Sequence, residues 1–196
     1  MLGGWVATAK TWDSFSGEWP SVLAMKPRTA YFKWSEAWGL SGEFLGISEE
    51  SRDEKVKTLV RVIRDHNPLA ITSVMPNALY EETFGENPDK VIRHPYFFSF
   101  FAIVTILAEF IARQEQPQKV DFIFDVQHGQ MDAVHSSWDR LIDTAPPKMA
   151  AIIENPPNFR HSVSTMPLQA ADLCAGWTRE QAEGEGEGEG GRAVAT

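Results

Sequence analysis

Apolar residues recur along the chain with two periods, one typical of strands and one typical of helices. Short apolar or alternating runs bounded by turn residues predict strands over residues 2–8, 29–34, 69–75, 120–126 and 149–153. Apolar positions three and four residues apart predict helices over residues 12–23, 51–66, 77–84, 96–113, 132–142 and 167–177. Strands interleaved with helices predict an α/β fold in which helices cover a sheet.

Three local patterns add detail to these elements. Pro20 is expected to interrupt or end the first helix, because proline removes a backbone donor. Ser51 and Glu54 form a capping-box pattern at the start of the second helix. In the fourth predicted strand, alternation places Asp121 and Asp125 together on one face.

The composition indicates one soluble domain followed by a polar tail. Of 196 residues, 43% are hydrophobic, and seven Trp and twelve Phe are enough for one substantial core. We therefore expect a single domain over residues 1–180. The Glu-Gly repeat that begins at Glu183 cannot form a core, so residues 181–196 are expected to be disordered.

The net charge limits the partners that the chain's own field would attract. The formal charge is −9, and residues 1–180 carry 17 basic and 23 acidic side chains. An acidic surface disfavours sequence-independent binding to duplex nucleic acid. Divalent ions supply local positive charge in metal-dependent nucleases, so nucleic acid stays open as a partner.

Several features favour a cytoplasmic protein. Cys174 is the single cysteine, which excludes an intrachain disulfide and a cysteine-based zinc site and fits a reducing compartment. The first residues lack the basic leader and long apolar run of a signal peptide. The longest apolar run, Phe97–Ala108, is shorter than a bilayer span, and we interpret it as a buried core helix rather than a membrane segment.

The last predicted helix carries the strongest indication of a functional site. Between Leu168 and Trp177, Gln169 and Asp172 are the two polar side chains, and their spacing places both on one helix face. A carboxylate inside so apolar a helix requires an ion pair, hydrogen bonds or a cation. Asp172 is therefore the leading candidate for a catalytic or metal-binding residue. The structural alternative is a bond to a nearby arginine or backbone group.

Polar residues near strand ends are further candidates. Asp125 is favoured over Asp121 as a site carboxylate, with simple solvent exposure as the alternative for both. Glu36 follows a predicted strand and would supply a third carboxylate, although a solvated glutamate is the more common situation. Lys33 could contact a phosphate, or its stem could cover apolar surface.

The remaining nucleophiles and acid–base residues give little indication of chemistry. His128, His135 and His161 are interpreted as polar surface residues, and Cys174 as a small core residue. The sequence contains no Gly-x-Ser-x-Gly elbow and no glycine-rich phosphate loop. Serine-triad hydrolysis and nucleotide binding of the P-loop type therefore have no support.

Four segments together resemble the DUF3800 family of uncharacterised prokaryotic and phage domains. They are Leu2–Ala7, Tyr31–Ala37, Phe122–Asp125 and Leu168–Leu173, of which the Leu-Gln-Ala-Ala-Asp-Leu helix is the most specific. The resemblance covers residues 1 to about 180 and implies a ribonuclease H-like mixed sheet flanked by helices. Family members usually carry Asp-Glu-Ser-Gly on a first strand, and that motif is missing from this sequence.

The resemblance also implies a divalent-metal site. In a ribonuclease H-like site, two divalent ions with oxygen ligands flank the scissile phosphate. By this analogy, Asp125, Asp172 and Glu36 would hold Mg²⁺ or Mn²⁺. Gln169 would orient Asp172 or the substrate.

The missing first strand leaves two hypotheses for function. If the true start codon lies upstream, the protein would be a metal-dependent nuclease or phosphoryl-transfer enzyme. Otherwise, it would be a catalytically inactive binding or assembly module of the same fold. A sheet without its first strand would also have an unpaired edge, through which the chain could self-associate.

Overall fold

The computed structural model describes residues 1–87, 95–126, 131–153 and 155–188. The helices in these ranges are α1 (Ala9–Ala24), α2 (Trp34–Trp38), α3 (Glu49–His66), α4 (Asn77–Phe84), α5 (Pro95–Ala112), α6 (Met131–Thr144), α7 (Pro147–Ala150) and α8 (Met166–Gly188). The strands are β1 (Leu2–Val6), β2 (Leu69–Ser73), β3 (Ile123–Asp125) and β4 (Asn158–Arg160). Short 3₁₀ turns lie at Gly42–Phe44 and Ser162–Ser164. The fold is therefore mixed α/β, as the sequence predicts.

The described strands form two small sheets. β1 pairs with β2, and β3 pairs with β4. The second pair is parallel and places Asp125 opposite Arg160. In the described ranges, each strand thus has one neighbour.

The chain divides into two compact units. We call Gly3–Thr72 together with the residues from Gln169 onward the terminal unit. The central unit consists of Ser73–Leu168 with Met1 and Leu2. Each unit has its own buried apolar residues, and each contains some of the candidate site residues.

In the terminal unit, α1 packs against α3. Phe15 and Trp19 of α1 and Leu59 of α3 are fully buried, as the apolar spacing of both helices predicts. Pro20 does not end α1, which continues to Ala24 because Val22 and Leu23 extend its buried face.

The predicted start of α3 was wrong by a few residues. Ser48, and not Ser51, is the N-cap: its hydroxyl accepts the backbone amide of Ser51 at 3.2 Å. Helix α3 therefore begins at Glu49 and places Glu49 and Glu50 in its first turn. Acidic residues are favourable at that position because the N-terminal end of a helix is partly positive.

Two predicted strands are absent. The predicted strand over 29–34 is an irregular segment that leads into α2 at Trp34. Its aromatic residues Phe32 and Trp34 are buried, so their apolar character reflects core packing and not strand pairing. The predicted strand over 149–153 is instead the last two residues of α7 and the turn that follows. Pro147 occupies a favoured position at the start of that helix.

In the central unit, aromatic residues of α5, α6 and β3 form a cluster. The ring of Phe100 lies 4.8 Å from that of Phe124 and 6.2 Å from that of Trp138. Phe122 also contacts Trp138, at 6.1 Å. The alternation predicted for residues 120–126 therefore buries Phe122, although the strand itself is limited to Ile123–Asp125.

Helix α5 combines buried and exposed apolar residues. Its buried positions include Phe100, Val104 and Leu107, whereas Ile106 and Phe110 are exposed. With 18 residues and a mean hydropathy of 1.8, α5 is long and apolar enough to cross a membrane by length and composition alone. Of these residues, 39% are buried in the protein, which is also compatible with the predicted core helix.

Helix α8 starts at Met166, one residue before the predicted start, and extends to Gly188. It therefore includes the first residues of the segment predicted to be disordered. Residues 189–196 of that segment lie outside the described part of the chain, and disorder there stays a prediction.

Candidate functional site

The predicted polar face of α8 carries a buried amide. Gln169 is fully buried, and its Oε1 accepts the indole Nε1–H of Trp19 at 2.9 Å and the backbone amide of Phe32 at 3.0 Å. Phe32 lies in the irregular segment before α2. In the described residues this segment pairs with no strand, so Gln169 provides the acceptor for the Phe32 amide. Gln169 therefore joins α1, this segment and α8 through one oxygen atom.

Asp172 lies on the same face of α8 and contacts the start of α2. Its Oδ2 accepts the backbone amide of Trp34 at 2.6 Å. Trp34 is the first residue of α2, and Lys33, the N-cap residue, makes no side-chain cap bond. The carboxylate of Asp172 thus accepts one of the first amides of α2, which have no acceptor within the helix.

Aromatic packing around Trp34 completes this contact. The ring of Trp34 stacks on that of Trp38 at 3.9 Å, and the guanidinium of Arg52 lies 4.7 Å from the Trp38 ring centre. On the α8 side, a Cβ atom at Gly176 would lie 2.1 Å from the Trp34 ring. Glycine at this position therefore permits α8 to approach the indole.

Glu36 holds the loop that follows α2. Its Oε1 accepts the hydroxyl of Tyr31 at 3.0 Å, and its Oε2 accepts the backbone amide of Glu43 at 2.9 Å. Gly42 has a φ of +52°, and a Cβ there would lie 2.1 Å from Oε2 of Glu36. The hydrogen bond to Glu36, together with burial and the nearby carboxylates, raises the pKa of Tyr31.

Asp125 closes the end of β3 in the central unit. Its Oδ1 accepts the backbone amides of Ser162 at 2.9 Å and Val126 at 3.1 Å, and its Oδ2 accepts the Ser162 hydroxyl at 3.0 Å. Burial, and then the negative charge of Asp125, raise the pKa of Tyr96 to about 12. Asp125 therefore connects β3 to the turn after β4.

The other candidates have surface or core contacts. Asp121 is exposed, and its Oδ1 accepts the side-chain amide of Asn155 at 3.2 Å. Nε2 of His135 lies 3.2 Å from the carbonyl oxygen of Pro157, and His161 is exposed. His128 lies outside the described residues.

Cys174 is a buried thiol, and burial raises its pKa. A raised pKa reduces the thiolate fraction at neutral pH, and the thiolate is the reactive form. The structure therefore supports the interpretation of Cys174 as a core residue.

The predicted metal ligands are distributed over both units. Glu36 and Asp172 belong to the terminal unit, and Asp125 belongs to the central unit. Among the described residues, no three His, Cys, Asp or Glu side chains are grouped so that they could hold a metal ion. The oxygen ligands that Mg²⁺ or Mn²⁺ prefers are present in all three residues, but each carboxylate accepts hydrogen bonds from the protein.

Sequence reasoning missed the donors that these carboxylates and Gln169 contact. Every residue except proline has a backbone amide, so the residue pattern did not indicate that the amides of Phe32 and Trp34 are the donors. Lys55 was also missed, although the sequence contains a signal for it: it precedes Val56 and lies four residues before Leu59, on the apolar face of α3.

Replacing Gln169 should destabilise the protein. Gln169→Met keeps the side-chain volume but leaves the indole of Trp19 and the amide of Phe32 without their acceptor, at a cost of roughly 2–4 kcal/mol. Urea denaturation followed by circular dichroism would measure this loss. Gln114→Met, at an exposed position, should change the free energy of unfolding by less than about 0.5 kcal/mol. Equal stability of the two variants would contradict the anchoring role of Gln169.

The free energy of unfolding should depend on whether the side chain at position 172 can accept a hydrogen bond. Asp172→Asn keeps an acceptor oxygen for the Trp34 amide and should cost less than about 1 kcal/mol. Asp172→Leu removes the acceptor and should cost roughly 1–3 kcal/mol. Thermal and urea unfolding of both variants would test this order, which a leucine variant as stable as the asparagine variant would contradict.

The tyrosine beside Asp125 should make stability fall at alkaline pH. Because the pKa of Tyr96 is raised from 10.0 to about 12 in the folded protein, the unfolded chain loses this proton first. The contribution is complete below pH 10 and is lost as the pH rises toward 12. When the pH is raised from below 10 to above 10, the urea midpoint should fall less for Tyr96→Phe than for the wild type. Equal falls in the two proteins would contradict the prediction.

The chain matches no protein-family model, no curated protein and no solved structure.

Proposed function

We propose that this chain is a non-catalytic assembly module with a mixed α/β fold, which associates with a second copy of itself. A non-catalytic role is supported by the hydrogen bonds that Gln169, Asp172 and Glu36 accept from other residues of the protein. Each of them accepts hydrogen bonds from a backbone amide, and two of them also accept bonds from aromatic side chains.

These hydrogen bonds limit catalysis because they determine where the lone pairs of the carboxylates are directed. A catalytic carboxylate needs oxygen atoms directed at a metal ion or a substrate. Oδ2 of Asp172 is instead directed at the Trp34 amide, and both oxygens of Glu36 accept protein donors. These contacts give an apolar helix a physical reason to carry a carboxylate without any chemistry.

The open strand edges support assembly. In the described ranges, β1 and β2 each have one strand neighbour, so each has an edge whose backbone groups are open to pairing with a further strand. Leu69 of β2 is 51% exposed. Addition of a strand from a second copy would pair these groups and cover this side chain.

A metal-dependent nuclease of ribonuclease H-like fold is the second candidate. The placement of Gln169 and Asp172 on one face of α8, within the segment that most resembles DUF3800, favours it. In that case the carboxylates of Asp172 and Glu36, both in the terminal unit, would help to hold Mg²⁺ or Mn²⁺, which would supply activated water and stabilise the leaving oxygen of a nucleic acid. Hydrogen-bonded carboxylates retain further lone pairs for such ions.

Sedimentation velocity over a wide range of protein concentration tests the assembly proposal. The wild type should shift from monomer to dimer as the concentration rises. Leu69→Lys adds a charge beside the β2 edge and should weaken the dimer. Leu45→Lys is the matched control, because Leu45 is 79% exposed and lies in a loop outside the strands. A wild type that stays monomeric, or two lysine variants with equal effects, would contradict the proposal.

Metal titration separates the two candidate functions. A non-catalytic module should show no change in melting temperature with millimolar Mg²⁺ or Mn²⁺. A metal-dependent enzyme should be stabilised by the ion, because binding to the folded state alone raises the melting temperature. That rise should shrink in Asp172→Asn, and such a result would replace the module with the nuclease.

A further inference from the structure

Lys55 is a buried lysine whose ammonium group lies among backbone carbonyls. Its exposed fraction is 4%. The Nζ atom donates hydrogen bonds to the carbonyl oxygens of Val22 at 2.6 Å, Leu23 at 3.0 Å and Met25 at 2.8 Å. Three donors of one ammonium therefore meet three acceptors, which is the full capacity of the group.

These acceptors belong to the C-terminal end of α1. The last carbonyls of a helix lack their usual amide partners within the helix, and the helix dipole makes this end partly negative. Besides the bonds from Lys55, Val22 accepts the amide of Met25 and Leu23 accepts that of Thr29. Val22 and Leu23 lie in the last turn of α1, and Met25 is its C-cap residue. The three oxygens thus form a carbonyl cradle that favours a cation.

No carboxylate is needed to hold the charge of Lys55. The neighbouring Glu54 is paired with Lys57 at 2.7 Å, and its side chain is 63% exposed. Burial lowers the pKa of Lys55 and so disfavours the ammonium form. The three hydrogen bonds to carbonyl oxygens offset part of this cost.

A cavity of about 100 Å³ lies beside the carbonyl cradle. Its lining residues are Val22, Met25, Lys26, Glu54, Lys55 and Thr58. Two residues that supply carbonyls, Val22 and Met25, therefore also line space into which a small molecule could enter. The exposure of Glu54 indicates that this space lies near the surface.

The geometry points to a cation site specific for primary ammonium ions, which Lys55 fills as a tethered ligand. Without the Lys55 side chain, the carbonyl cradle would bind a free alkylammonium ion. The three converging acceptors favour a group with three N–H donors over a quaternary ammonium ion, which has none. This inference does not depend on the proposed function.

Chemical rescue of Lys55→Ala tests the site in the full chain. The substitution removes the side chain beyond Cβ, and n-propylammonium has the same carbons and nitrogen as the removed part. The variant should melt below the wild type, and n-propylammonium chloride should restore part of the loss in a saturable manner. The expected rise is roughly 3 °C or more once the amine exceeds its dissociation constant about tenfold.

Three controls isolate the carbonyl cradle. Tetramethylammonium chloride at the same concentration should not rescue Lys55→Ala, because it donates no hydrogen bond. Leu59→Ala removes a fully buried apolar side chain of the same helix, which donates no hydrogen bond, so n-propylammonium should not rescue it selectively. Lys57→Ala removes an exposed lysine charge and should show neither the loss nor the rescue.

For a folded Lys55→Ala variant, either of two outcomes would overturn the inference. One is equal effects of n-propylammonium on Lys55→Ala and Leu59→Ala, and the other is equal effects of n-propylammonium and tetramethylammonium. If Lys55→Ala is unfolded without amine, the same titration is followed as the return of the helical circular dichroism signal. Absence of that return would also overturn it.

Discussion

The amide oxygen of Gln169 connects three parts of the terminal unit that are distant in the chain. It accepts the indole of Trp19 and the backbone amide of Phe32 at a position that is closed to water. A buried donor without an acceptor costs more free energy than a hydrogen bond gains. The irregular segment before α2 therefore depends on this oxygen, and the positions of Trp34 and Glu36, which follow in the chain, depend on that segment.

Backbone amides account for two of the candidate carboxylates, one in each unit. Asp172 is unusual in an apolar helix, and its position indicated either chemistry or a local partner. Its partner is the first amide of α2, which has no acceptor within the helix. Asp125 performs a related task at the end of β3, where it accepts two amides and a hydroxyl. In each case backbone donors account for the acidic residue.

The sequence predicted the parts of the fold that depend on periodicity. Helices α1, α3 and α5 have long apolar faces, and their positions were correct to within a few residues. The predictions that failed concern short apolar segments, such as residues 29–34. There, composition cannot distinguish a strand from an irregular segment whose backbone amides bond to side chains of α8. The common face of Gln169 and Asp172 was predictable from helical spacing. Their partners were not, because backbone amides brought together by tertiary packing carry no sequence signal.

The stacked indoles of Trp34 and Trp38 give helix α2 an optical property of its own. Their rings lie 3.9 Å apart with an angle of 15° between the planes, close enough for the two chromophores to couple electronically. Near-ultraviolet circular dichroism therefore contains a signal that arises from this five-residue helix. Local loosening of α2 would alter that signal while the far-ultraviolet spectrum, which the long helices dominate, stays unchanged.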